Sequence, residues 1–208
     1  CVYHAWILVL TGQMGAIEPR LAAAEASPQP EGHALRGHVA AIRAYAASHG
    51  GDAERVAALA REALQRLPED DLTVRSVVLY TLGVACLLAG DLEAALREAE
   101  ASAALGAQWG NTEAWVRAPL ARARALQALG DLDGALCALQ EADEIMRRHS
   151  PSLWATARVE SGRVRLWLAP GREDLAATAR WVEERTGALA GDADLSYVRE
   201  KEHLALAR

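Results

Sequence analysis

The sequence predicts an all-α protein, a right-handed superhelical solenoid of antiparallel helix pairs. Three observations predict it. First, one phrase occurs twice: LGVACLLAGDLEAAL at 82–96 and RARALQALGDLDGAL at 122–136. In both, an apolar helix runs into a Gly-Asp turn and a second helix starts at once, at Gly90-Asp91 and Gly130-Asp131. Second, further turn glycines stand at 12, 50/51 and 171, so the turns recur about every forty residues. Self-similarity at such a period marks a stacked helical array, in which no pair can bury its apolar face alone. Third, the 208 residues are 51% hydrophobic and contain no Phe. Alanine is abundant, as helices packed closely on small side chains require.

The chain divides into helix pairs of about 1–30, 33–67, 72–106, 111–149 and 152–190, with a half pair at 194–208. In the first pair, Tyr3–Thr11 and Met14–Ala26 flank a Gly12-Gln13 turn. Pro19 predicts a kink or a helix start close to it, since an interior proline costs about 3 kcal/mol. SPQPEG at 27–32 is the one Pro/Gly-rich connector. The second pair is His33–His49 and Asp52–Leu67, with Asp52 as N-cap and Glu54 in the first turn, where acid suits the helix dipole. The third is Leu72–Ala89 and Leu92–Leu105, ended by Gly106. The fourth is Asn111–Leu129 and Leu132–His149, with Pro119 as a second kink candidate. The fifth is Ser152–Ala169 and Glu173–Leu189, around Pro170-Gly171-Arg172. The chain lacks an initiator Met and stops inside a helical pattern, so a fragment of a longer protein is expected. Cut ends of such a stack expose apolar faces that permit self-association.

Charge separates the two helix sets. The first helices of the four middle pairs (A helices) hold nine Arg and two acids, a net of +7. The second helices (B helices) hold sixteen acids and nine Arg, a net of −7. If the A helices line a concave face, that face is basic and focuses potential toward an anionic small-molecule effector or an acidic peptide or protein. The alternative is that several of these arginines pair with glutamates on neighbouring B helices. The candidate ligand- or partner-binding residues are His38, Tyr45, Arg75, Tyr80, Arg117, Arg124, Arg158 and Arg165. His38 and Tyr45 lie seven apart on one A helix, two turns along the same face.

Several function classes are excluded or disfavoured. The net charge of −6 disfavours nucleic-acid binding. No P-loop, GxSxG, HExxH or EF-hand loop occurs, and no catalytic or metal-ligating constellation is seen, so the expectation is a non-enzyme without metal or cofactor. Cys1, Cys86 and Cys137 are far apart, and the latter two are expected as buried free thiols in a reducing cytosol. The longest apolar run, Val77–Ala89, is too short to span a membrane. No signal peptide is seen, and the predicted compartment is the cytoplasm. The tryptophans are expected in the core, except Trp109, placed in a connector.

The repeat is TPR-like but degenerate: Gly83 matches the small residue of a TPR first helix and Ala95 the alanine of its second. Beyond that, RVRLWLAPGREDLAATARWVEERTG (163–187) and DLSYVREKEHLALAR (194–208) resemble the helical-repeat domain of MalT-type LuxR-family ATP-dependent transcriptional regulators of bacteria. Trp167-Leu168-Ala169, Ala179-Arg180-Trp181 and Tyr197-Val198-Arg199-Glu200 carry the likeness, with Ala5-Trp6 and Leu129-Gly130-Asp131-Leu132 in support. The resemblance implies a repeat domain that senses an inducer or protein partner. It also implies ATP bound only by an N-terminal module and DNA only by a C-terminal helix-turn-helix, both outside these residues. Pro170 departs from the usual pattern before a turn glycine, so that junction is expected to differ. The other reading is a TPR-like peptide-binding scaffold in another multidomain protein.

Overall fold

A computed structural model describes residues 2–26, 32–108, 112–149 and 153–189. Among these the chain is all-α: α1 (Val2–Leu10), α2 (Ile17–Glu25), α3 (Gly32–Ala47), α4 (Ala53–Arg66), α5 (Leu72–Leu88), α6 (Leu92–Gln108), α7 (Thr112–Ala128), α8 (Leu132–Arg148), α9 (Leu153–Trp167) and α10 (Leu175–Leu189). The predicted half pair at 194–208, the SPQPE stretch and Trp109 lie outside the described residues. The helices fall into two compact units, residues 1–121 and 122–208.

The turn glycines explain the pairing. Gly12, Gly51, Gly90, Gly130 and Gly171 all have φ between 75° and 86°, the left-handed region that residues with a Cβ adopt at a cost. At the twice-repeated phrase the hydrogen bonds are those of a Schellman stop followed at once by an N-cap. The Gly90 and Asp91 N–H groups donate back to Leu87 (3.2 Å) and Cys86 (2.9 Å) carbonyls. Asp91 Oδ1 then accepts the Ala94 N–H at 3.0 Å, starting α6. Asp131 repeats this for α8, accepting from Gly134 at 2.8 Å. Nothing lies within 4 Å of a Cβ built on Gly90 or Gly130, so alanine there meets only the conformational penalty. Gly90→Ala and Gly130→Ala should each cost about 1–2 kcal/mol, read as a lowered urea midpoint. Gly90→Asn should cost less, since asparagine tolerates this conformation.

Three sequence expectations change in the folded chain. The helix through Gly106 continues to Gln108, with Gly106 buried inside α6. Packing outweighs the roughly 1 kcal/mol that an interior glycine forfeits. α9 ends at Trp167, two residues early, because Pro170 disfavours helical backbone at Ala169. The reversal there is longer, with Glu173 at φ 42° and the Asp174 N–H reaching the Trp167 carbonyl at 2.8 Å. Cys137 is exposed, not buried: the buried stripe of α8 is Ala135, Ala138, Leu139, Ala142 and Met146, and Cys137 falls on the opposite side. Pro19 sits in the first turn of α2, where its missing N–H breaks no helical bond. α7 runs through Pro119.

Small residues set the packing distance. In the first unit, one cluster joins α1, α2 and α3 through Val9, Leu21, Val39 and Ile42. A second joins α3 to α6, largely through alanines such as Ala44, Ala60, Ala63 and Ala95. A Cβ on Gly83 would sit 3.2 Å from the Ala95 carbonyl oxygen, so α5 and α6 meet backbone to backbone. In the second unit, Leu139, Val164, Leu166 and Trp181 are buried, and a Cβ on Gly162 would lie 3.2 Å from Leu139 Cδ2, where α9 rests on α8.

Candidate functional site

Counting back from each turn glycine puts the A helices in a common register. Positions thirteen and six before the glycine carry His38 and Tyr45 on α3, Val77 and Val84 on α5, Arg117 and Arg124 on α7, and Arg158 and Arg165 on α9. These are two turns apart, hence on one face of each helix. Six of the eight candidate residues fall on this register, and only Arg75 and Tyr80 fall off it.

In the first unit, several candidates are committed to holding helices together. Arg75, in the first turn of α5, donates from Nη1 to the carbonyls of Leu64 (3.0 Å) and Leu67 (3.3 Å). It thereby satisfies carbonyls at the end of α4 that have no helical partner. Arg117 is 6% exposed. Its guanidinium carbon lies 5.1 Å from the Tyr80 ring centroid, a cation–π contact, and Nη1 donates to Ser76 Oγ at 3.2 Å. Ser76 and Ser102 exchange hydroxyl-to-carbonyl bonds of 3.0 and 2.7 Å between α5 and α6. Arg117, Tyr80 and the two serines thus form a buried polar clasp. His38 is half-buried, with Nε2 3.2 Å from Asp71 Oδ2. Asp71 also caps α5 through Val74. Tyr45 packs partly on the α1–α3 cluster, its ring 5.3 Å from that of His49.

In the second unit, Arg124, Arg158 and Arg165 are half-buried on the A-helix register. Gln127 Nε2 reaches the Arg165 carbonyl at 3.4 Å, which sets the end of α7 beside α9. Arg124 and Arg165 therefore occupy the same position on neighbouring A helices.

A separate arginine set answers the charge asymmetry. Arg43, Arg122 and Arg163 all stand eight residues before a turn glycine, and all three meet acids on B helices. Arg43 donates to Glu18 (3.2 Å) and Glu25 (3.0 Å) of α2. Arg122 pairs with Glu141, and Arg163 with Asp143, both on α8. These arginines hold pairs together. Their common offset from the glycine was in the sequence, and the acids that meet them lie 18 to 25 residues away in the first instance. Sequence reasoning also missed Glu160, 8% exposed, which accepts the Trp181 indole N–H at 2.7 Å and Arg163 Nη1 at 2.8 Å.

The Arg43 hydrogen bond holds the Glu18 carboxyl below its ordinary 4.5, with partial burial opposing. A depressed folded value means stability that is full above about pH 4.5 and drains as pH falls through the folded value. Glu18 is largely exposed, so the effect is no more than about 1 kcal/mol. Glu18→Gln should flatten the acid limb of a stability–pH curve below the ordinary carboxylate value of 4.5, and an unchanged limb would contradict this pairing.

Among the described residues no group of three or more His, Cys, Asp or Glu is placed to hold a metal ion. No described helix is long and apolar enough to cross a membrane.

A family model described as the MalT-like TPR region matches residues 37–104 and 89–208. The chain belongs to that family. The MalT-like match begins at Gly37, covers every turn glycine from Gly51 onward and includes all eight candidate residues. No curated protein and no solved structure matches the chain. The MalT-like repeat is a scaffold of packed helices, and Arg43, Arg75, Arg117, Arg122 and Arg163 serve its packing.

Proposed function

We propose that this MalT-like repeat is the non-catalytic sensing region of a LuxR-family transcriptional regulator in the bacterial cytoplasm, and that its A-helix face takes an anionic effector or an acidic peptide. One observation carries the reading. Arg124, Arg158 and Arg165 recur thirteen or six residues before a turn glycine on the neighbouring A helices α7 and α9, and each is only half-buried. Guanidinium groups bind carboxylate and phosphate oxygens through paired N–H donors, which suits an anionic ligand. ATP and DNA would be handled by other modules of the regulator.

Titration of the protein with sugar phosphates, nucleotides and acidic peptides tests this. Binding of one class should weaken with salt, and Arg124→Ala or Arg165→Ala should weaken it about tenfold each. No salt-sensitive binding to any of them would reject the anionic ligand. A scaffold in another multidomain protein is the second reading, favoured by the apolar Val77 and Val84 at the same register in the first unit. A P-loop upstream and a helix-turn-helix downstream in the full-length gene would select the regulator.

A further inference from the structure

Among the described A helices α7 alone carries an interior proline, Pro119. Proline has no N–H to give to the carbonyl of residue 115, and its ring crowds that carbonyl. One link of the helical ladder is therefore missing in the middle of α7.

The anchors of α7 divide at the same place. On the N-terminal side Val116 is fully buried and Arg117 is 6% exposed. Arg117 lies over Tyr80 and donates to Ser76, both on α5, and Ser76 is bonded in turn to Ser102 of α6. On the C-terminal side Arg122 pairs with Glu141 of α8, and Gln127 Nε2 donates to the Arg165 carbonyl of α9 at 3.4 Å. Between Arg117 and Arg122 the chain reads Ala-Pro-Leu-Ala, without a polar side chain. The first compact unit ends at Ala121 and the second begins at Arg122. In a stacked repeat each helix pair is the natural unit of opening. A break set by that rule alone would fall between pairs, outside α7.

We propose that α7 is a conformational break in the repeat: residues 112–118 open and close with the first unit, residues 122–128 with the second, and the backbone yields at Pro119. The A-helix register crosses this break, since Arg117 stays with the buried clasp while Arg124 goes with α8 and α9. A change of stability in one unit, such as a bound ligand produces, then stops at Pro119 instead of passing along the helix. Nothing in this depends on the effector proposed above.

Native-state amide exchange of the 208-residue chain, followed by NMR, tests it. Ile42→Ala empties a fully buried site in the first unit, and Leu139→Ala one in the second. Ile42→Ala should lower the protection of amides 116–118 at least about tenfold and leave amides 124–128 unchanged, and Leu139→Ala should do the reverse. Ile42→Val and Leu139→Val replace them if either alanine chain does not fold. In Pro119→Ala, which restores the missing N–H, each core change should lower protection on both sides. A core change that lowers protection along all of α7 in the parent chain, or leaves its own half of α7 untouched, overturns the proposal. So does a division that survives Pro119→Ala, because packing alone would then set the break.

Discussion

Trp181→Ala should lower the stability of the second unit by about 3–5 kcal/mol, the cost of deleting a large buried aromatic. Trp181 is 4% exposed and packs with Val164, Trp167, Leu168 and Val182 between α9 and α10. Its loss also strips the indole donor from Glu160, a carboxylate that is itself 8% exposed. A buried acceptor that loses a donor costs about 1–3 kcal/mol, more when it is charged. The two contributions separate by substitution. Trp181→Phe keeps most of the ring and removes the N–H, so it should cost about 1–3 kcal/mol. Adding Glu160→Gln to Trp181→Phe should then cost less than the two single changes together, because the pair interacts. Urea unfolding followed by circular dichroism reads all three. If Trp181→Phe proved as damaging as Trp181→Ala, the hydrogen bond would outweigh the packing, against the expectation here.

Gly37→Ala should destabilise the first unit by about 1–3 kcal/mol, although it adds one methyl to a helix and improves local propensity. A Cβ there would sit 2.8 Å from the Leu67 backbone nitrogen and 3.0 Å from the Arg66 carbonyl carbon. Those atoms are backbone at the end of α4, so they cannot swing aside as a side-chain tip could. That end of α4 is also held by Arg75, through the Leu64 and Leu67 carbonyls. Pushing it away would strain both contacts. Gly15→Ala is the control, since nothing lies within 4 Å of a Cβ at that position. Equal midpoints for wild type and Gly37→Ala would show that α3 and α4 have room to separate.

The contrast between these glycines shows how far sequence reasoning reaches. Gly90 and Gly130 are legible because a turn is local: a left-handed residue, then an aspartate whose side chain caps the next helix three residues on. Gly37 carries no such signal. Its partner is thirty residues away, and only the approach of α4 makes a methyl group there costly. Cys137 and Gly106 teach the same lesson. Each looked plausible in its local pattern, and each was decided by which side of its helix found a neighbour.

The candidate site divides along the same line. The sequence by itself determined the all-α class, the forty-residue period, the five turn glycines and the opposite charges of the A and B helices. These depend on backbone conformation, capping and composition, which act over a few residues. The tertiary structure alone decided how each arginine is used. Arg43 and Arg163 meet acids on the preceding B helix, Arg75 caps α4, and Arg117 lies buried over Tyr80. Arg124, Arg158 and Arg165 are half-exposed. A charge count fixes the sign of a helix, but the direction of each side chain depends on contacts that form only when the pairs stack.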